Sequence, residues 1–200
     1  MNFLDKHYFL IRKLHVITGL LPVGIFLLIH LTINSYVLIS PEVYTQRAAL
    51  MKELPFLTFL EVGFIFLPIL YHGLLGLWVV YVAKNNVLKF KYSRNWAFYL
   101  QRITAIVTFI FLIYHVITTR FSGAEINYEF MSNILASPGM LIFYIVGVVG
   151  SVYHFANGLW AFFIDLGITV GPNAQRVSAI ASTFLFVVLS ILSVQILLAF

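Results

Sequence analysis

Four histidines, His30, His72, His115 and His154, lie inside long apolar stretches of the chain. A polar ring in hydrocarbon is costly and by default marks a functional site. One such histidine alone would fit a helix–helix hydrogen bond or a step in a proton path equally well. Four of them, matched in depth two by two, fit a different chemistry: two iron centres, each held between two imidazoles, as in stacked b-type haems.

The depths depend on the elements that carry the rings. Five stretches are long and apolar. Leu14–Pro41, Phe130–Ile164 and Val177–Phe200 contain no Asp, Glu, Lys or Arg, and Leu54–Ala83 contains only Glu61. Ile103–Thr119 contains none and extends back through Trp96–Gln101. About 20 apolar residues cross a bilayer as a helix, which pairs every backbone group within its own segment. The pattern predicts an all-α membrane protein with five transmembrane helices near residues 16–38, 57–83, 97–121, 138–164 and 177–200. The first four form the bundle, within a single domain spanning residues 1–200.

Composition agrees: 62% of residues are hydrophobic and 10% charged, a balance foreign to soluble domains. The first apolar run is too long for a signal peptide and lacks a small-residue cleavage site, so no cleaved leader is expected. The chain has no cysteine. That excludes disulfides, thiolate metal sites, cysteine-bound iron–sulfur clusters and a covalently attached haem.

Lysine and arginine placement sets the orientation. With five spans the termini fall on opposite sides. Lys6, Arg12, Lys13, Lys84, Lys89, Lys91, Arg94, Arg102 and Arg176 share the N-terminal side, against Arg47, Lys52 and Arg120 on the other. The N-terminus is therefore predicted to be cytoplasmic, in a multi-pass protein of a bacterial cytoplasmic (inner) membrane. The net charge of +5 marks one membrane face, able to attract anionic lipid or an acidic partner. Nothing in it points to nucleic acid.

At about 1.5 Å rise per residue, His30 stands roughly 21 Å and His115 roughly 27 Å from the inner end of their helices, and His72 and His154 roughly 15 Å. His72 thus pairs with His154 near the cytoplasm and His30 with His115 nearer the outside, about 10 Å apart in height. Facing helices of a bundle build cofactor sites in this way. The fifth span carries no histidine and is expected at the periphery. Gly19, Gly24, Gly73, Gly76, Gly147, Gly150 and Gly158 flank the rings, either to admit a porphyrin or for ordinary close helix packing. Pro22 and Pro68 are expected to bend the first two spans. His7 and His15, at the cytoplasmic rim, read as surface or interface residues.

The same segments carry a resemblance. RKLHVITGLLPVGIFLLIH (12–30), LPFLTFLEVGFIFLPILYHGLLG (54–76), AKNN with YSRNWAFYLQRITAIVTFIFLIYHV (83–116) and SNILASPGMLIFYIVGVVGSVYHFANGLWAFFIDLGITV (132–170) resemble the diheme cytochrome b membrane anchor of bacterial succinate:quinone oxidoreductases. The likeness covers nearly the whole chain and is greatest to the single-polypeptide, menaquinone-using type. It implies two haem b groups, one on His30 and His115 and one on His72 and His154. It also implies a docked iron–sulfur subunit and a FAD-bearing flavoprotein subunit on the cytoplasmic face, where succinate or fumarate is handled. The work of the chain would then be electron transfer between the cluster subunit and menaquinone or another quinone.

Other residues are weaker candidates. Arg102, at the inner start of the third span, and Arg120, five residues past His115, could hold haem propionates, with Arg94 and Arg12 behind them; positive-inside topology also accounts for the inner ones. Glu53, in the outer loop, is a solvated carboxylate or a proton-transfer residue for a quinone beside the outer haem. Glu61 lies one turn inside the second span. Trp78, Trp96 and Trp160 suit an aromatic belt. Three readings compete with the complex: a stand-alone diheme quinol-linked carrier, a membrane anchor without haem, and a small transporter using the histidines as a relay.

Overall fold

The computed structural model describes residues 3–200, with side chains from His7 onward, so Lys6 falls outside the described side chains. Five helical spans cross the molecule: His7–Leu38, Leu57–Val82, Ser93–Thr118, Pro138–Asp165 and Pro172–Leu198. The end holding the Lys84–Arg94 loop is termed inner.

The first span is two helices in line, α1 (Phe3–Leu20) and α2 (Pro22–Ser35). Pro22 opens α2, where its missing N–H costs nothing, and Leu21 N–H still reaches Ile17 O at 2.9 Å across the joint. Ser40 then caps α3 (Pro41–Leu50), its hydroxyl accepting from Val43 N–H at 3.2 Å, which satisfies an orphan donor of the first turn.

The second span is α4 (Leu57–Leu60), a π-helical segment over Glu61–Phe66, and α5 (Leu67–Val82). The cause is Pro68, which has no N–H for the carbonyl four residues back. The backbone widens upstream of it, and Leu67 N–H bonds Val62 O, five residues back. The bend expected at Pro68 is thus accompanied by a π-helical segment, a feature with no apolar-period signature.

The remaining helices are α6 (Ser93–Thr118), α7 (Tyr128–Leu135), α8 (Pro138–Asp165) and α9 (Pro172–Leu198). Asn127 caps α7 through Phe130 N–H at 2.8 Å. α8 is the best-buried helix, packed between α6 and α9, while α1 packs on α5. Buried Ser178, Ser182 and Ser193 on α9 are small residues that permit close helix approach. Two of the hydroxyls are satisfied within their own turn, Ser178 bonding Gln175 O at 3.1 Å and Ser193 bonding Leu189 O at 2.7 Å. α9 therefore lies outside the histidine-bearing helices, against α8, as expected of the fifth span.

The outer end is tied together by Val37, Tyr44, Phe111, Met131, Leu135, Tyr144, Ile196 and Leu197. Leu67, Leu70 and Leu74 on α5, Ile110, Ile113 and Ile117 on α6, and Val177, Ile180 and Phe184 on α9 are exposed. Apolar surface on that scale requires lipid around the helices.

Candidate haem-iron site

The bundle brings the four histidines together in two pairs. His30 on α2 and His115 on α6 have ring centroids 5.8 Å apart at 76° between planes. His72 on α5 and His154 on α8 are 6.0 Å apart at 83°. These are the pairings reached from depth. Two imidazoles on one metal, with bonds of about 2 Å, place their ring centres about 6 Å apart. Each pair is thus at a spacing that would suit one metal held between two imidazoles. Among the described residues no group of three or more His, Cys, Asp or Glu could hold a bare ion. A two-imidazole site without a third protein ligand suits a metal whose other donors come with it, as a porphyrin supplies them.

The two pairs are held differently. His72 Nδ1 faces His15 O at 2.7 Å and His154 Nδ1 faces Gln101 O at 3.1 Å. A ring nitrogen facing a carbonyl carries the proton, which leaves the Nε2 lone pair free for a metal. The outer pair is packed among aromatic rings. Phe111 stacks on His115 at 5.4 Å and 20°. Phe26 lies 5.5 Å from His30, and Tyr144 meets His115 edge-on at 5.9 Å. His115 Nδ1 is buried with no hydrogen-bond partner.

His15 corrects the surface reading of that residue. Its ring stacks on His72 at 4.2 Å and 4°, and its carbonyl accepts the hydrogen bond from His72 Nδ1–H. One turn on, Gly19 lies so close that a Cβ there would fall on the His72 ring. His15 and Gly19, four residues apart on one helix face, make the wall on which His72 rests. A Cβ at Gly147 would overlap Phe111, and one at Gly24 would crowd Phe155 at 2.6 Å. At these positions the small residues serve the close packing of protein side chains.

The remaining candidates sit at the two rims. Arg120 forms a two-pronged ion pair with Glu61, Nε to Oε1 at 2.7 Å and Nη2 to Oε2 at 2.8 Å. The Glu61 hydrogen bond and charge raise the Arg120 pKa above its ordinary value. The polar head of the π-segment is thereby neutralised, which explains how a carboxylate is accommodated one turn inside a span. At the inner rim Arg102 donates to Asn85 Oδ1 at 2.5 Å. Arg94 donates to Gln175 Oε1 at 2.6 Å and lies over Trp160 at 5.4 Å, and Arg12 lies over Tyr8 at 5.8 Å. Trp160, expected in an aromatic belt, is instead buried, its indole N–H bonded to Gln175 O at 3.2 Å; Trp78 and Trp96 are exposed as a belt requires. Glu53 stands exposed in the 3-10 turn Met51–Glu53.

Sequence reasoning passed over Gln101 and Asn157. Asn157 Nδ2 donates to Gln101 Oε1 at 2.8 Å, and Gln101 Nε2 donates to His154 O at 3.0 Å. The available signal was two carboxamides within apolar spans, one of them three residues past His154.

Comparison with known proteins gives the family. Residues 83–193 match the family model described as succinate dehydrogenase/fumarate reductase transmembrane subunit. The succinate dehydrogenase cytochrome b558 subunit of Bacillus subtilis (strain 168) is 46% identical over 195 residues, 96% of each chain. With a family match over more than half its length and this degree of identity across nearly all of it, the chain belongs to the succinate dehydrogenase/fumarate reductase transmembrane-subunit family, the cytochrome b membrane anchors of complex II.

Proposed function

We propose that this chain carries electrons between an iron–sulfur subunit and a membrane quinone, menaquinone foremost, through two haem b groups, and that it anchors that subunit and a FAD-bearing flavoprotein to a bacterial cytoplasmic membrane. The observation that carries the reading is the presence of two imidazole pairs at two heights in one bundle, each at the spacing of a shared iron. Each haem, held between two of these imidazoles, would supply one-electron transfer rather than oxygen chemistry.

The protein's part is to hold and insulate. His72 and His154 hold the inner group, their tautomers fixed by the carbonyls of His15 and Gln101. His30 and His115 hold the outer group within Phe26, Phe111 and Tyr144, which keep water from that site. Arg102 stands at the inner end as a cation toward propionates, and Arg120, at the outer end, would have to share its guanidinium between Glu61 and a propionate to do the same. In this reading the basic inner face is cytoplasmic and receives the soluble subunits, on which the dicarboxylate chemistry takes place.

Quinone reduction consumes protons, and Glu53, exposed at the outer rim, is the carboxylate proposed to pass them at a pocket beside the outer haem. In the purified complex, succinate should reduce both b-type absorbances. Glu53→Gln should slow quinone-linked turnover by about tenfold or more, while both haem spectra and turnover with a soluble artificial acceptor stay normal. Unchanged quinone turnover would remove Glu53 from the site. A complex whose b absorbances do not respond to succinate would contradict the electron-transfer role.

A further inference from the structure

We propose that Gln101 is a positioning residue for His154: main chain and side chain together clasp that imidazole and so set the properties of the haem it holds. The inference rests on the ligation reading above and deepens it.

The clasp is reciprocal. His154 Nδ1–H donates to Gln101 O at 3.1 Å, and Gln101 Nε2 donates back to His154 O at 3.0 Å. Asn157 props the carboxamide from the far side, giving one hydrogen to Gln101 Oε1 at 2.8 Å and one to Ala97 O at 3.3 Å. Thr104 Oγ1 also reaches Gln101 O, at 3.2 Å. Gly158 faces the same carboxamide: a Cβ there would stand in ordinary contact, 3.4 Å from Gln101 Nε2.

A carboxamide in a membrane span is costly unless its donors and acceptors are matched, and here both ends of Gln101 are used between α6 and α8. Sliding either helix by a residue would break the bonds in both directions, so the clasp fixes the register at which the His154 ring enters the bundle. The bond at Nδ1 does more than aim the ring. A carbonyl accepting Nδ1–H increases electron donation from Nε2 to a metal and so favours the oxidised iron. The outer pair has no counterpart: His115 Nδ1 is buried and unpartnered, and aromatic packing orients that ring. Gln101 therefore acts on one haem only.

The test is Gln101→Met, which keeps length and apolar bulk, leaves the Gln101 main-chain carbonyl in place, and removes both side-chain bonds, so that the register on which the Nδ1–H bond to that carbonyl depends is loosened and the bond lengthens. The variant is purified as the full complex, and its two low-spin ferric signals are followed by electron paramagnetic resonance during a redox titration. His154→Ala identifies which signal belongs to the inner haem. The expected result is two haems per chain, with the inner signal moved in g value, its midpoint potential shifted upward, and the outer signal unmoved. Asn157→Leu, which removes one prop, should shift the same signal in the same direction by less; if Gln101→Met does not assemble, this variant decides alone. Unmoved inner signals in a fully loaded complex would overturn the proposal, as would equal movement of both haems, which marks a packing role. Neither result touches the ligation reading, which fails separately if His154→Ala leaves both wild-type signals in place.

Discussion

Replacing any one of the four paired histidines with alanine should remove or alter one haem and leave the other intact, with each partner of a pair giving the same loss. His72→Ala and His154→Ala should both abolish the inner low-spin signal, and His30→Ala and His115→Ala the outer one. The reason is the geometry: the members of each pair lie 6.0 and 5.8 Å apart, and they belong to different helices at different heights. Truncation would take away one of the two imidazoles that hold the haem. Either loss of that haem or its conversion to a high-spin form is therefore expected, together with at least a hundredfold loss of quinone-linked turnover if the haem is the sole relay at that height. The readout is the spectrum of the purified complex. If His72→Ala and His30→Ala perturb the same haem, the pairing is wrong.

The second large effect comes from a single methyl group. Gly19→Ala should lose the inner haem preferentially. In a helix, Gly to Ala ordinarily stabilises by about 0.5–1 kcal/mol. Here the new Cβ falls on the His72 ring, and that ring is not free to move, because its Nδ1 is bound to His15 O and its face is stacked on His15. Overpacking of this kind costs about 1–3 kcal/mol, so the clash outweighs the helix gain and His72 is driven from its place. Gly63→Ala, in the outer part of the second span with open space around its Cβ position, is the control and should keep both haems. Equal haem content in Gly19→Ala and Gly63→Ala would show that the wall behind His72 yields.

The sequence carried the spans and the histidine pairing because both depend on strong, simple signals. Charge is nearly absent from hydrocarbon-length runs, and rise per residue converts position into depth. Where polar residues extend a helix beyond the apolar run, the boundary was not visible. The first span begins by His7 rather than near residue 16, and the fifth at Pro172, a favourable first helical residue, rather than near 177. The π-segment was hidden because it depends on backbone pairing around Pro68. His15 was misplaced for a similar reason. Depth along the first span puts it at the rim, but lateral packing, which sequence does not give, puts its ring on His72. Trp160 was likewise read by height, whereas it takes its place from the neighbouring elements it faces, and Gln101, passed over altogether, takes its role from α8.

The direct test of the whole account is the haem count. Pyridine haemochrome analysis of the purified complex, set against the amount of this chain, should give two b-type haems per polypeptide. One haem, or none, would contradict it.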